Sequence, residues 1–382
     1  MNPHLDAALE LAARGAGRVS PNPAVGAVLV KDGIVVGRGF HTWLGVRHAE
    51  ILALEEAGER ARGATLYLTL EPCSHQGRTP PCADAIVAAG IRKVVAAMQD
   101  PNPQVAGRGF ARLAAAGIEV EIDAEYNARA EALNDAFVHF MKTGRPLVTL
   151  KAAVTLDGKI AAPDDGTPGF TPGWITSEEA RAHVQTMRHH SDAILTGIGT
   201  VLADDCLLTD RTGQERSRPL LRIVLDSQLR LPADSRMAAT CREDVLVITT
   251  SAGSPERRKR LEARGIRVEV LEGADGRVDL RAVAELLARE KYLSLMIEAG
   301  SRVNWTALES GVADKIYFYY APKILGGTHS LPVAGGAGRR RRADAILFQR
   351  VQLHRITSSE FAVEAWLEKN EAWPENNVHG NH

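Results

Sequence analysis

The first half of the chain carries three metal-binding side chains at the predicted starts of two helices. His48 opens one helix within the segment Arg47–Glu50, and Cys73 and Cys82 bracket a loop that follows a strand and opens the next helix. One imidazole and two thiolates are typical zinc ligands, and three protein ligands leave the fourth tetrahedral position free for water. This pattern therefore predicts a catalytic Zn²⁺ site.

Glu50 supplies the acid–base group that such a site needs. Zinc lowers the pKa of its bound water to about 7, and a nearby carboxylate can accept the water's proton and pass it to a leaving nitrogen. The His-x-Glu…Pro-Cys pattern is that of the zinc deaminases, in which two residues usually separate the cysteines. Here residues 74–81 separate Cys73 from Cys82. The alternative is a closed structural site with His75 as the fourth ligand.

The arrangement of apolar segments predicts an α/β protein with two domains. A length of 382 residues is enough for two or three domains at roughly 100–200 residues each. Short apolar strands alternate with helices along the chain, and the helical and strand patterns restart after 142–146. We expect a deaminase domain over 1–144, a second domain over 145–370 and a disordered polar tail over 371–382. The predicted strands of the second domain include 147–154, 192–197, 220–226, 244–250, 266–271 and 293–300, with a long final strand over 315–325.

Composition and charge restrict the classes of partner. The net charge is −1 and aromatic residues make up 5% of the chain, so neither nucleic acid nor a membrane is expected as a partner. Four cysteines in so long a chain are no disulfide framework and favour the reducing cytoplasm. We expect Cys206 and Cys241 to be thiols without a metal. Two other hypotheses are a nucleic-acid-editing deaminase and a zinc-stabilised binding protein whose second half senses a nucleotide.

At this point the sequence resembles the bifunctional riboflavin-biosynthesis deaminase–reductase family of bacteria. The motifs SPNPAVGAVLV, GFH, RHAE and LEPCSHQGRTPPC resemble its deaminase signature, and the longer Cys-to-Cys insert is its distinguishing mark. LKAAVTLDGKIA, IVLDSQLRLP, IEAGSRVN and FYYAPKILGG resemble its reductase half. The resemblance covers about residues 1–367. It implies a cytidine-deaminase-like three-layer domain followed by a dihydrofolate-reductase-like α/β domain that uses NADPH, and it suggests a homo-oligomer.

The resemblance also implies two consecutive reactions on a phosphorylated pyrimidine. The first removes ammonia from 2,5-diamino-6-ribosylamino-4(3H)-pyrimidinone 5′-phosphate. The second uses NADPH to reduce the ribosyl group of 5-amino-6-(5-phosphoribosylamino)uracil to ribityl. In the first domain it places the deaminase substrate against Asn22, His41, Ala49, His75 and Arg78.

The resemblance places the reductase sites in the second domain, which has no G-x-G-x-x-G fingerprint. Gly197–Thr200 could admit a pyrophosphate, although a lone G-x-G is a weak signal. The family contacts its nicotinamide cofactor at positions that correspond to Ala153, Trp174, Thr200, Asp204, Ser227, Gly300, Ser301, Arg302, Val303, Asn304, Trp305 and Thr306. The family contacts its phosphorylated substrate at positions that correspond to Lys151, Ser177, Arg188, Leu208, Arg211 and Glu298.

Two features depart from the resemblance or lie outside it. Cys206 stands where the family commonly has Pro, which predicts a less rigid loop. Arg339–Arg342 is a run of four arginines after two glycines. We expect a solvated loop there, with contact to an anion or RNA as the alternative.

Overall fold

The computed structural model describes residues 2–42, 47–74, 80–103, 105–163, 173–273 and 275–368. The chain forms two compact units, Met1–Gly144 with Glu215–Arg218, and Arg145–Gln214 with Pro219–His382. Among the described residues, no helix is both long enough and apolar enough to cross a membrane.

The first unit is a five-stranded sheet with helices on both faces. Strand order is β2-β1-β3-β4-β5, in which β1 is antiparallel to its two neighbours and β3, β4 and β5 are parallel. The strands are β1 (Gly26–Lys31), β2 (Ile34–Phe40), β3 (Thr65–Leu68), β4 (Lys93–Ala96) and β5 (Glu119–Ile122). The helices are α1 (Pro3–Ala13), α2 (Ala49–Ala57), α3 (Cys82–Ala88), α4 (Arg108–Ala115), α5 (Asn127–Leu133) and α6 (Asp135–Thr143).

Alternation of side chains along β1 divides the apolar core of this unit into two layers. Ala27 and Leu29 pack with α2, α3 and α4 on one face, whereas Val28 and Val30 pack with α1 on the other. Successive strand residues point to opposite faces, so the apolar run predicted for this strand buries both sides. The result is the three-layer arrangement that the family resemblance implied.

The second unit is built on a nine-stranded sheet, again covered by helices on both faces. The order is β11-β10-β9-β8-β12-β6-β13-β16-β15, and β14 pairs with β7 separately. The strands are β6 (Leu147–Thr155), β7 (Lys159–Ala161), β8 (Ala193–Gly197), β9 (Leu221–Leu225), β10 (Val245–Thr249), β11 (Arg267–Val270), β12 (Ser294–Ile297), β13 (Lys315–Ala321), β14 (Leu331–Pro332), β15 (Phe348–Arg355) and β16 (Phe361–Leu367). The helices are α7 (Glu178–His190), α8 (Ile198–Asp204), α9 (Arg236–Ala239), α10 (Pro255–Glu262), α11 (Leu280–Arg289) and α12 (Ser301–Glu309).

The sequence prediction of the last strand of this unit was wrong. The strand predicted over 315–325 ends at Ala321 and is not the last, because β15 and β16 extend the sheet antiparallel to β13. β15 and β16 carry a mixture of exposed and buried side chains, so the alternation of polar and apolar residues along their sequences was weak. Gly197 is the N-cap of α8, so the segment Gly197–Thr200 forms the start of this helix, and Asp204 is its last residue.

Candidate active sites

Helix starts bring the three predicted zinc ligands together. His48 precedes α2 as its N-cap, and Cys82 is the first residue of α3. Cys73 follows β3, and its sulfur accepts a hydrogen bond from the Cys82 amide at 3.3 Å. The His48 Nδ1 lies 3.1 Å from the Cys82 Sγ and 3.6 Å from the Cys73 Sγ. All three ligand atoms lie within 4.8 Å of one another, close enough to hold one metal ion.

The electrostatics of this cluster fit a cation. The hydrogen bond from the Cys82 thiol lowers the pKa of Cys73 to about 4, and the neighbouring Cys73 sulfur and burial raise the pKa of Cys82. Thiolates bind zinc in the deprotonated form, and a donor set of one imidazole and two thiolates matches that requirement.

Glu50 is positioned beside the cluster in the first turn of α2. Its residue is only 3% exposed, and burial raises the pKa of its carboxyl, opposed in part by the charge of His48. A carboxyl with a raised pKa can both accept and donate a proton near neutral pH. Its first-turn position, two residues after a ligand, is what the sequence pattern requires.

Asn22 and His41 are joined in a short hydrogen-bonded chain. The Asn22 amide nitrogen donates to the His41 Nε2 at 3.1 Å, so the His41 proton is assigned to Nδ1, which donates to the Arg47 carbonyl at 2.9 Å. Burial lowers the pKa of His41, which favours this neutral form. The His41 and His48 rings lie 5.3 Å apart. The chain therefore fixes the Asn22 amide beside the metal cluster.

Two further predicted substrate contacts, His75 and Arg78, belong to the inter-cysteine loop and lie outside the described residues. Ala49, the first residue of α2, is fully buried between the metal ligand and Glu50.

Glu71 is a functional candidate that the sequence analysis missed. It lies two residues before Cys73 and is 3% exposed. Its Oε1 accepts from the amides of Gly109 (2.8 Å) and Phe110 (3.4 Å), and its Oε2 from those of Gly107 (2.9 Å) and Asp100 (3.1 Å). The signal in the sequence was an acidic residue at the end of a buried strand, where an ionised group needs several partners.

The second unit holds a charged group where the end of β12 lies beside the middle of β6. The Lys151 Nζ lies 3.0 Å from the Glu298 Oε1, and the Arg188 guanidinium donates to the Glu298 Oε2 at 2.8 and 3.1 Å. Burial opposes ionisation of Glu298, but these two cations outweigh it and hold its pKa at about 2. Three of the predicted reductase-substrate residues thus meet in one group that carries two positive charges and one negative charge.

The remaining predicted substrate residues have different environments. The Ser177 hydroxyl accepts a hydrogen bond from the Ala180 amide as the N-cap of α7 and donates one to Glu360 at 2.5 Å. Both hydrogen bonds of this hydroxyl are therefore made within the protein. Leu208 is buried with a positive φ of 51°. Arg211 is exposed, and its backbone amide is held by Gln185 at 3.0 Å.

The amino end of α12 fits an anionic group. The Ser301 hydroxyl is buried and has no hydrogen-bond partner among the described residues. A Cβ at Gly300 would lie 3.6 Å from the Thr200 Oγ1, and one at Gly197 would lie 2.9 Å from a Val303 methyl group. The segments Gly197–Thr200 and Gly300–Val303 are therefore adjacent. Backbone amides at a helix start, together with an unsatisfied hydroxyl, match a phosphate.

The other predicted cofactor residues are distributed along the same sheet. Ala153 lies in β6 opposite Tyr319, and the Ser227 carbonyl, just after β9, accepts from the Thr250 hydroxyl at 3.1 Å. Trp174 is 71% exposed, with the Arg181 guanidinium 4.9 Å from its ring centre. Burial raises the pKa of the Cys206 thiol to about 11, so this thiol is protonated at neutral pH.

Family models match both units. The model of the cytidine and deoxycytidylate deaminase zinc-binding region matches residues 2–98, and that of the RibD C-terminal domain matches residues 146–360. These matches confirm the predicted fold class. They also agree with the predicted cofactors, zinc for the first activity and NADPH for the second.

Relatives and solved structures match nearly the whole chain. The riboflavin biosynthesis protein RibD of Actinobacillus pleuropneumoniae is 42% identical over 89% of this chain and 88% of its own. That of Escherichia coli is 41% identical over 91% and 95%. Among solved structures, Acinetobacter baumannii RibD, form 1, has a TM-score of 0.84 at 37% identity, covering 96% of this chain and 98% of its own.

A Thermotoga maritima structure described as a diaminohydroxyphosphoribosylaminopyrimidine deaminase/5-amino-6-(5-phosphoribosylamino)uracil reductase has a TM-score of 0.78 at 35% identity, covering 96% and 98%. These matches favour the two-reaction hypothesis over the editing deaminase and the zinc-stabilised binding protein. The chain belongs to the RibD family of bifunctional enzymes, a zinc-dependent deaminase and an NADPH-dependent reductase of riboflavin biosynthesis that act on a phosphorylated pyrimidine.

Proposed function

We propose that the first unit deaminates 2,5-diamino-6-ribosylamino-4(3H)-pyrimidinone 5′-phosphate and that the second reduces the ribosyl group of 5-amino-6-(5-phosphoribosylamino)uracil with NADPH. The observation that carries the proposal is the cluster of His48, Cys73 and Cys82 with the buried Glu50 beside it. The two names are those of the activities of the Thermotoga maritima relative. The domain ranges proposed for these activities are 1–144 and 145–370, followed by a tail over 371–382.

In the deaminase site, His48, Cys73 and Cys82 would hold the zinc and Glu50 would move the proton. Bound zinc makes a water molecule acidic enough to be a nucleophile at neutral pH. The water oxygen adds to the ring carbon that bears the 2-amino group while Glu50 accepts the proton of the water, and Glu50 delivers that proton to the amino nitrogen. The C–N bond then breaks, a carbonyl forms at the ring carbon, and ammonia leaves. The raised pKa of Glu50 suits a group that carries a proton in both directions.

The substrate ring would be held by the Asn22–His41 chain. Because both His41 nitrogens already have partners, His41 would orient the Asn22 amide, and its ring would pack against the pyrimidine. Asn22 offers a carbonyl acceptor and an amide donor to a ring edge. Ala49, His75 and Arg78 complete the proposed contacts, with Arg78 as the phosphate partner because a guanidinium binds phosphate bidentately.

In the reductase site, the charged group around Glu298 would hold the phosphorylated substrate. Lys151 and Arg188 flank the Glu298 carboxylate, and Arg211 is exposed for a phosphate contact. NADPH would supply a hydride to the ribosyl C1′, whose bond to the sugar ring oxygen opens, and that oxygen gains a proton. The proposed substrate contacts also include Ser177 and Leu208, and the proposed cofactor contacts are Ala153, Trp174, Thr200, Asp204, Ser227 and Gly300–Thr306.

Partners and compartment are part of the proposal. We infer a homo-oligomer in the reducing cytoplasm, acting on a small molecule and not on nucleic acid or a membrane. The two cysteines outside the metal cluster, Cys206 and Cys241, are unbridged and pack against an apolar cluster. This arrangement agrees with a reducing compartment. Sedimentation of the purified chain at several concentrations measures the oligomeric state.

The test follows the two reactions separately in the full chain. Wild-type protein is incubated with the diaminopyrimidine phosphate, with and without NADPH, and the products are identified by mass. We expect a gain of one mass unit without NADPH and a further gain of two with it. Glu50→Ala should retain zinc, release no ammonia and still oxidise NADPH when the deaminated product is supplied. If Glu50→Ala retains zinc and still releases ammonia, the deaminase assignment of this site is wrong.

A further inference from the structure

The run of four arginines contains one residue that differs from the others. The Arg339 guanidinium lies 5.6 Å from the centre of the Trp305 ring in α12, and its Nη1 lies 3.6 Å from Glu309 at the end of the same helix. Arg341 instead pairs with Asp344 in its own loop at 2.8 Å. The first arginine therefore belongs to a contact with α12.

The backbone before Arg339 holds the amino-terminal half of the same helix. The Asn304 side-chain amide donates to the Val333 carbonyl at 2.8 Å, and the Gly335 amide donates to the Ser301 carbonyl at 3.0 Å. Asn304 is fully buried, so water does not compete for its hydrogen bond. Residues 333–339 thus contact α12 from its first turn to its last. We call this segment the clasp.

Two glycines allow this close approach. A Cβ at Gly335 would lie 2.5 Å from the Ser301 Oγ, and one at Gly336 would lie 2.6 Å from the Trp305 Cδ1. Both distances are too short for a side chain, so either the Ser301 and Trp305 side chains would have to move or the clasp would have to separate from the helix. Gly338 also has a positive φ of 64°, but a Cβ there would meet no atom within 4 Å. Its glycine therefore serves only its own backbone conformation.

We propose that the clasp positions the amino end of α12 to bind the pyrophosphate of NADPH. The inference rests on the proposed cofactor site at Thr200 and Gly300–Thr306. The amides of the first turn and the buried Ser301 hydroxyl can bind one anion together only while α12 and the clasp keep their present places. Gly335, Gly336 and Arg339 are positioning residues, since they act through Ser301 and Trp305.

The glycines provide the main test, carried out on the full chain. Gly335→Ala and Gly336→Ala should weaken NADPH binding by between about 3- and 30-fold, the range for substitutions that act through packing. Isothermal titration with NADPH alone measures this dissociation constant. In steady-state assays the KM for NADPH should rise while kcat changes less. Gly338→Ala is the matched control, because it strains the same loop without contacting α12, and it should bind NADPH like the wild type.

The arginines provide a second comparison in variants that are expected to fold. Arg339→Ala removes an exposed cation–π contact and should weaken NADPH binding by about 2- to 5-fold, whereas the exposed Arg340→Ala should not change it. The thermal unfolding transition of the second unit, measured in every variant, reports whether the unit that holds the clasp is folded. If both glycine variants fold and bind NADPH as tightly as Gly338→Ala, the clasp proposal is overturned.

One further variant separates the clasp from the cofactor site on which it rests. Ser301→Ala removes the buried hydroxyl that we assign to the pyrophosphate. If Ser301→Ala weakens NADPH binding and the glycine variants do not, only the clasp proposal fails. If Ser301→Ala and the glycine variants all bind NADPH like the wild type, the cofactor lies elsewhere and the proposed cofactor site fails with the clasp.

Discussion

Replacing Glu71 with Gln tests whether the ligand Cys73 depends on a carboxylate that never touches the metal. Each oxygen of Glu71 accepts two backbone amides, from Gly109 and Phe110 at Oε1 and from Gly107 and Asp100 at Oε2. Gln has one oxygen and one NH₂ group. Whichever way its amide turns, two of the four donors lose their acceptor and face another donor.

The magnitude follows from those two lost bonds. A hydrogen bond to a charged group contributes about 1.5–3 kcal/mol, so Glu71→Gln should cost roughly 3–6 kcal/mol of local stability. That is a large part of the roughly 5–15 kcal/mol that stabilises a whole domain. Gly109 gives the loop little freedom to adjust, because a Cβ there would lie 2.0 Å from the Pro72 carbonyl. The segment leading to Cys73 should therefore shift, and zinc should bind less tightly.

Three measurements on the full chain decide the matter. In Glu71→Gln the zinc content after dialysis against a weak chelator should fall, ammonia release should fall with it, and the first thermal transition should shift downward. NADPH oxidation with the deaminated substrate should stay near the wild-type rate. Glu59→Gln, at an exposed position of the same unit, is the control. Full zinc content and an unshifted transition in Glu71→Gln would refute the reasoning.

Three further predictions concern the two sites. Removal of zinc by a strong chelator should abolish ammonia release and leave NADPH oxidation intact, and added Zn²⁺ should restore the first activity. The depressed pKa of Glu298 contributes stability above its ordinary value of 4.5, and this stability is lost as the pH falls toward about 2. Lys151→Met should therefore be less stable than the wild type at pH 7, and urea unfolding should show the gap narrowing below about pH 4.5. Ser177→Ala loses a helix cap and a bond to Glu360, so its melting temperature should fall by a few degrees, corresponding to about 1–2 kcal/mol, and a wild-type value would contradict this.

The parts of the fold that the sequence predicted are those with strong local patterns. The runs that became β1, β6 and β8 are apolar and buried on both faces, so composition alone identified them. Strands β15 and β16 were missed because they lie at or next to the sheet edge, where exposed and buried residues mix. Their place is decided by pairing with β13, a long-range contact that leaves no periodic signal in the segment itself.

The metal cluster was predictable from the sequence, but the hydrogen bonds that hold the nearby Glu71 were not. His48, Cys73 and Cys82 have side chains that few other roles explain, and the starts of helices α2 and α3 bring them together. The four amides that hold Glu71 come from residues 100–110, about thirty to forty residues away in sequence. The arginines predicted to form a solvated loop, Arg339–Arg342, are all exposed. The contacts of residues 333–339 with α12 were not predicted, because the contact of Gly335 with Ser301 joins segments that are distant in sequence.

The surroundings of Glu50 and Glu298 shift the pKa values of these two carboxyl groups in opposite directions. Burial raises the pKa of the Glu50 carboxyl, and among the described residues only the charge of His48 opposes it appreciably, which suits the proton carrier that we propose. Glu298 faces Lys151 and Arg188, which lower its pKa to about 2. A carboxyl that stays ionised at neutral pH is a poor proton donor, so the proton that accompanies hydride transfer must come from another group or from water. Glu298 instead keeps two cations at fixed positions, and these cations can then meet the phosphorylated substrate without rearranging.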